Sequence, residues 1–250
     1  MAQVSTLILG QYKVIRILKL QSDYAAVQAV DILDRQQSIR LLNIYEGAAA
    51  RRYAQVFADI RHCNDFLGTR LDGASLIAVF NWREVPLIDT VFYGDSGQDL
   101  KTRLDYAGLL FQLTLRFWDQ PPELGCAVLR SSNLGVQLES HSFWVNYCIE
   151  PTSKKLNRRE LICLTGDQAK KILLQDWKTE LPERRFLMEL TGGRWKDAIH
   201  LLSAWNAVRP QIEAANEKRM QKPFIRRQLG RLVMNICWKQ EEKESIYGKR

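Results

Sequence analysis

A chain of 250 residues with 46% hydrophobic and 26% charged side chains can bury a sizeable core and lies outside the composition of disordered proteins. Its formal net charge of +8 favours acidic partners and carries no information about fold. Cys63, Cys126, Cys148, Cys163 and Cys237 are scattered without a C-x-x-C pair, which argues against a disulfide framework or a structural zinc site and for a reducing compartment.

No apolar run reaches the ~20 residues of a membrane span. The start of the sequence shows no basic region ahead of an apolar one. The expected location is cytoplasmic, free or peripheral to a membrane.

The first elements read as strands. Tyr12 to Leu18, Ala25 to Asp31 and Ser38 to Ile44 are rich in Val, Ile and Leu, and Asp34 to Gln37 suits a turn. Ala48 to His62 reads as a helix with Tyr53, Val56, Phe57 and Ile60 on one face. Two further strands, Phe66 to Thr69 and Ser75 to Phe80, flank an Asp72-Gly73 turn. Asn81-Trp82-Arg83 then connects to a short helix near Pro86 to Val91.

A third helix is expected from Tyr106 to Trp118, broken by Gln120 to Gly125. A loop from Cys126 to Asn133 comes next, and then a hairpin of Leu134 to Leu138 and Phe143 to Tyr147 around Glu139-Ser-His-Ser142. Helical runs are expected at Asp167 to Trp177 and, after Gly192-Gly193, toward Trp205. Trp118, Trp144, Trp195 and Trp205 sit among apolar neighbours and are core candidates. From Glu213 the chain is dense in Lys and Arg. There Ile225, Leu229, Leu232, Val233 and Ile236 share one helical face, with Arg226, Arg227 and Arg231 around it.

This layout resembles the protein-kinase fold. Tyr12-Lys-Val-Ile-Arg-Ile-Leu18 is similar to the family's opening strand, and Asp59-Ile-Arg-His-Cys-Asn64 to the turn after helix C. The stretch from Cys126 to Asn133 resembles the catalytic loop H-R-D-L-x-x-x-N, and Asn146-Tyr147-Cys148 falls on D-F-G. Arg194 to Trp205 looks like the late-helix pattern R-x-x-A-x-x-L-L-x-x-x-W. The resemblance implies an α+β fold of two lobes. Residues 1–82 would form a small antiparallel β lobe with helix C, residues 83–206 a shortened, mainly helical large lobe, and residues 207–250 a basic amphipathic tail.

The same overlay removes the chemistry. Phosphoryl transfer needs a glycine-rich loop over the phosphates, a lysine–glutamate pair, a catalytic carboxylate and a metal-binding carboxylate. Leu18 to Ala26 contains no glycine. Arg40 falls at the lysine, Tyr53 at the glutamate, Val128 at the base and Asn146 at the metal ligand. Asn133 alone is retained. Arg40, Trp82, Asn133 and Asn146 are therefore expected to line a degenerate nucleotide cleft, with Trp82 at the hinge and inclined to plug it. The three histidines lack metal-ligand spacing, and Cys126 reads as a buried thiol.

The resemblance thus implies a pseudokinase that is not an enzyme, takes no cofactor and works as a protein-binding, regulatory scaffold. Two alternatives remain open at this level. One is an atypical enzyme binding ATP without metal through Arg40 and Asn133. The other is an adaptor whose tail, with Arg226, Arg227 and Arg231, meets an anionic membrane surface or a nucleic acid.

Overall fold

β-branched and aromatic runs separated by short polar turns build a six-stranded antiparallel sheet. The computed structural model describes residues 7–93, 97–174, 179–192 and 195–223. In chain order the strands are β1 (Leu7–Ile8), β2 (Tyr12–Leu20), β3 (Tyr24–Asp31) and β4 (Ile39–Tyr45), then helix α1 (Gly47–Ala58), then β5 (Phe66–Asp72) and β6 (Ser75–Asn81). Their spatial order is β1-β2-β3-β4-β6-β5. Asp72 pairs with Ser75 across the β5–β6 turn, and Gly73 there has φ 60°, a conformation glycine adopts without strain.

Period-two alternation gives β4 two different faces. Leu42 joins Tyr12, Val27, Ala29, Ile77 and Val79 in one apolar cluster. Tyr45 points the other way, into an aromatic group with Tyr24, Tyr53 and Phe57 that continues through Phe66 and Phe80 to Tyr147. Helix α1 contributes Tyr53, Val56 and Phe57 to this side at the spacing its sequence suggests.

The chain continues as α2 (Ile88–Val91), α3 (Leu100–Arg116), α4 (Pro122–Val128), β7 (Leu134–Gln137), β8 (Ser142–Val145), α5 (Arg158–Leu173), α6 (Leu181–Thr191) and α7 (Ala198–Met220). Strands β7 and β8 form the expected hairpin, with Leu134 opposite Val145. The whole is α+β.

Packing divides it into two compact units. One comprises Met1–Leu87 with Arg116–Leu161, the other Ile88–Leu115 with Ile162–Arg250. In the second unit Phe111, Phe186 and Trp205 pack ring to ring with centroids 5.2–5.6 Å apart. A methyl group on Gly108 would meet the Trp205 indole at 3.3 Å, so α3 and α7 approach closely there. The expected core role of Trp205 is met.

Three sequence expectations differ from what is observed. Pro121 and Pro122 start a helix instead of only ending one, because proline at a first helical turn gives up an N–H that has no intrahelical partner. Cys126 and Val128 therefore lie on α4 and not in a loop. Helix α3 begins at Leu100, ahead of Tyr106, and α5 at Arg158, ahead of Asp167. Helix α7 runs unbroken through Pro210 to Met220, so a boundary at residue 207 falls inside it. Among the described residues no helix is long and apolar enough to cross a membrane.

Candidate functional site

In the first unit one strand residue organises the polar interior. Asn43 is fully buried on β4, on the face shared with Tyr45. Its Oδ1 accepts from the Tyr24 hydroxyl at 2.7 Å and from the Ile149 N–H at 2.9 Å. Its Nδ2 donates to the Tyr147 carbonyl at 2.8 Å. The Tyr45 hydroxyl donates to the Ile149 carbonyl at 2.6 Å, and that of Tyr53 to the Glu150 carbonyl at 3.2 Å. One stretch after β8, Tyr147 to Glu150, is thus tied to β4 and α1 by uncharged donors and acceptors.

Asn133 and Asn146 belong to the same region. Asn133 donates through Nδ2 to the carbonyls of Ala127 (2.8 Å) and Cys148 (2.9 Å), and its own carbonyl accepts the Asn146 N–H at 2.8 Å. Asn146 donates through Nδ2 to the Arg83 carbonyl at 3.1 Å, while its Oδ1 accepts from the Trp144 indole at 3.0 Å and from the Arg83 N–H at 3.5 Å. The Arg83 guanidinium lies 4.4 Å from the Trp144 ring centroid. Asn43, Asn133 and Asn146 are exposed by 0%, 1% and 3%, so none of these amides faces water. Burial without partners would cost about 1–3 kcal/mol per group, which explains why each amide is engaged.

Arg40 is not brought to this cluster. It stands three residues before Asn43, an odd spacing, and therefore on the opposite face of β4 with Leu42. There it donates to Asn81 Oδ1 at 2.7 Å and pairs with Asp34 Oδ2 at 3.1 Å. The Asp34 carboxyl is held below its ordinary value first by the Ser38 hydroxyl and the Gln36 N–H, with Arg40 a smaller contribution. The strand side chain that converges with Asn133 and Asn146 is Asn43, which the motif overlay missed. Its signal in the sequence was a lone amide within an otherwise apolar strand centre.

Trp82 is half-buried on the connection beside Arg83. Tyr53 stacks on Tyr45 at 4.5 Å with ring planes 11° apart, filling with carbon the place where the overlay required a carboxylate. Val128 is fully buried at the end of α4. Arg226, Arg227 and Arg231 lie outside the described residues.

Charge in this region converges on one carboxylate. Lys19 on β2 approaches Glu150 at 3.0 Å and Arg130 approaches it at 3.8 Å. Burial pushes the Cys126 thiol up to about 12 and also raises that of Cys148, whose sulfur lies 3.3 Å from the Tyr24 hydroxyl, so both favour the protonated form. Among the described residues no three His, Cys, Asp or Glu side chains gather to hold a metal.

The second unit holds a buried polar centre that the sequence reading did not anticipate. Arg103 on α3 donates to the Leu173 carbonyl at 2.7 Å and pairs with Glu183 at 3.3 Å. Glu183 is the third residue of α6, and its carboxylate accepts the Glu180 N–H in a reciprocal capping arrangement. Glu180 in turn pairs with Arg219 of α7. The signal was available as Glu180-Leu-Pro-Glu183, a helix start with proline in its first turn.

No protein-family model and no curated protein matches the chain.

Proposed function

We propose that this chain is a kinase-like body without phosphotransfer activity that serves as a protein-binding scaffold. The observation that carries the reading is the closed amide network of Asn43, Asn133 and Asn146. The inward strand position that would require a cation holds a neutral amide, and its atoms are already engaged by Tyr24, Tyr147 and Ile149. The Asn146 carboxamide bonds the backbone of Arg83 on the connection where the resemblance would seat a nucleotide base. Lys19 and Arg130 both face the Glu150 carboxylate, which offsets part of their charge. Among the described residues this cluster offers neutral amides where phosphoryl transfer needs a paired cation and carboxylates.

The order of elements supports the comparison with the kinase fold: an antiparallel sheet interrupted by one helix, then helices, then a β-hairpin. What remains in the first unit is an interior already engaged by its own side chains, whose surface is left to meet a partner.

Thermal unfolding with ATP, with and without Mg²⁺, tests the reading alongside a phosphate-incorporation assay on the chain itself and a generic acceptor. The expected result is no ATP-dependent rise in Tm and no incorporation. Incorporation above background overturns the proposal, and a metal-independent rise in Tm replaces it with a nucleotide-binding one.

A further inference from the structure

Helix α1 and the turn between α3 and α4 enclose a groove of about 770 Å³, with Gln55, Pro121 and Pro122 among its walls. It shares Arg61, Asp119 and Gln120 with a smaller cavity of about 330 Å³ that adds His62, Arg116 and Phe117. Both belong to the first unit, and neither involves the amide network.

Charge is distributed unevenly between them. Along the groove it is matched: Arg52 pairs with Glu123 at 2.9 Å, Arg158 with Asp119 at 3.4 Å, and Gln55 bonds Asp59 at 3.1 Å. In the smaller cavity Asp119 is the one carboxylate, and it already faces Arg158. Arg61 and Arg116 have no carboxylate partner among the described residues, and His62 stands beside them. The backbone that carries two of them is held. The Gln120 side chain accepts the Arg61 N–H at 3.0 Å and donates to its carbonyl, and His62 holds a left-handed backbone with φ 50°.

A structural reason for the cations exists, since Arg116 and Arg61 stand at or just beyond the C-terminal ends of α3 and α1. A positive charge there is favourable by about 0.3–1 kcal/mol. That accounts for one charge at each helix end, but not for three cationic or proton-donating side chains around one concave space.

We propose that this cavity receives a phosphoryl group carried by an extended segment of a partner protein, with the flanking residues of that segment lying along the groove. The proposal names the partner chemistry of the scaffold reading and rests on it. A phosphoryl group presents three terminal oxygens, enough for two guanidinium forks and an imidazole, whereas one guanidinium satisfies both oxygens of a carboxylate. The adjoining groove is far larger than a free phosphate requires. A membrane or nucleic acid calls for a row of uncompensated cations, and the groove's own charges are paired.

The test uses fluorescently labelled peptide pools of random sequence around a fixed phosphoserine, with twin pools carrying serine or glutamate, in about 0.15 M salt where surface attraction is screened. Expected are saturable binding of the phosphoserine pool, at least 10-fold weaker binding of both twins, and competition by inorganic phosphate. Arg61→Ala with Arg116→Ala should weaken the phosphoserine pool at least 10-fold, while the urea midpoint stays near the wild-type value. Absence of saturable phosphoserine binding, equal binding of the glutamate pool, or equal binding by the double variant overturns the proposal. A phosphate-incorporation assay on the same sample separates the two readings: activity with phosphopeptide binding defeats only the scaffold, and inactivity without binding defeats only this site.

Discussion

The two units differ in whether they bury ion pairs. In the first, the deepest polar side chains are the neutral amides of Asn43, Asn133 and Asn146, each bonded to backbone or to a hydroxyl or indole donor. In the second, buried ions stand beside a neutral hydroxyl pair of Thr114 and Thr165: Arg103 lies against Glu183 and Glu180 against the half-buried Arg219, with Arg184 donating to the Thr179 carbonyl. An amide loses less on leaving water than an ion does, and its bonds do not respond to pH. An ionic centre is costly to assemble and severely costly to break, because removing one partner strands the other. The first unit therefore holds its interior with many modest bonds, and the second with a few that fail together.

The largest effect should come from halving the ionic centre. Arg103→Ala is expected to destabilise the protein by about 3–5 kcal/mol in urea unfolding, since it leaves Glu183 buried without its cation. Replacing both partners, as Arg103→Met with Glu183→Leu, should recover most of that loss. If the double variant is as unstable as the single one, the pair contributes more than its burial costs, and the contrast between the units fails.

Asn43→Leu is the counterpart in the amide network. It keeps the approximate volume but leaves the Ile149 N–H and the Tyr147 carbonyl without their partner. A loss of about 2–3 kcal/mol is expected from unmade bonds of this kind, smaller than for the ion and independent of pH between about 5 and 8. Chemical denaturation at several pH values measures both statements.

The pH dependence itself should come from the second unit. Burial raises Glu183 from 4.5 to about 7, against the opposing pull of Arg103. Arg103 is lowered for the same first reason, so both partners report that desolvation outweighs their attraction. The folded protein then binds a proton that the unfolded chain does not. The associated stability is present below pH 4.5 and is lost as pH rises through about 7, with a slope of at most ~1.4 kcal/mol per pH unit. Glu183→Gln should abolish that slope in pH-dependent unfolding; an unchanged slope assigns it to another group.

The smallest effect is expected at Arg40. Its ion pair with Asp34 is partly open to water, and Arg40→Ala should cost about 1 kcal/mol or less. It should leave the response to ATP as it was, because the side chain lies on the face of β4 away from Asn133. A thermal-shift titration on this variant tells whether the face assignment holds.

Much of the fold was legible because it rests on local pattern. The strands from Tyr12 to Asn81, helix α1, the Asp72-Gly73 turn and the β7–β8 hairpin all obey hydrophobic periodicity and turn chemistry. The cluster was only half legible. A motif overlay counts residues from a landmark, and an error of three positions on a strand moves a side chain to the other face. Arg40 was named from the count, while the fold brings Asn43 to Asn133 and Asn146. The two prolines misled for a related reason: a Pro-Pro pair can end one helix or begin the next, and Pro121-Pro122 opens α4.

The sequence by itself determined the α+β class and the polar breaks between strands, since these depend on residue type and short-range spacing. Only the tertiary structure decided which amides meet, that Glu150 gathers Lys19 and Arg130, and that Arg103 and Glu183, 80 positions apart, are buried against each other. Those pairings are settled by which faces pack together, and packing between distant segments leaves no periodic trace along the chain.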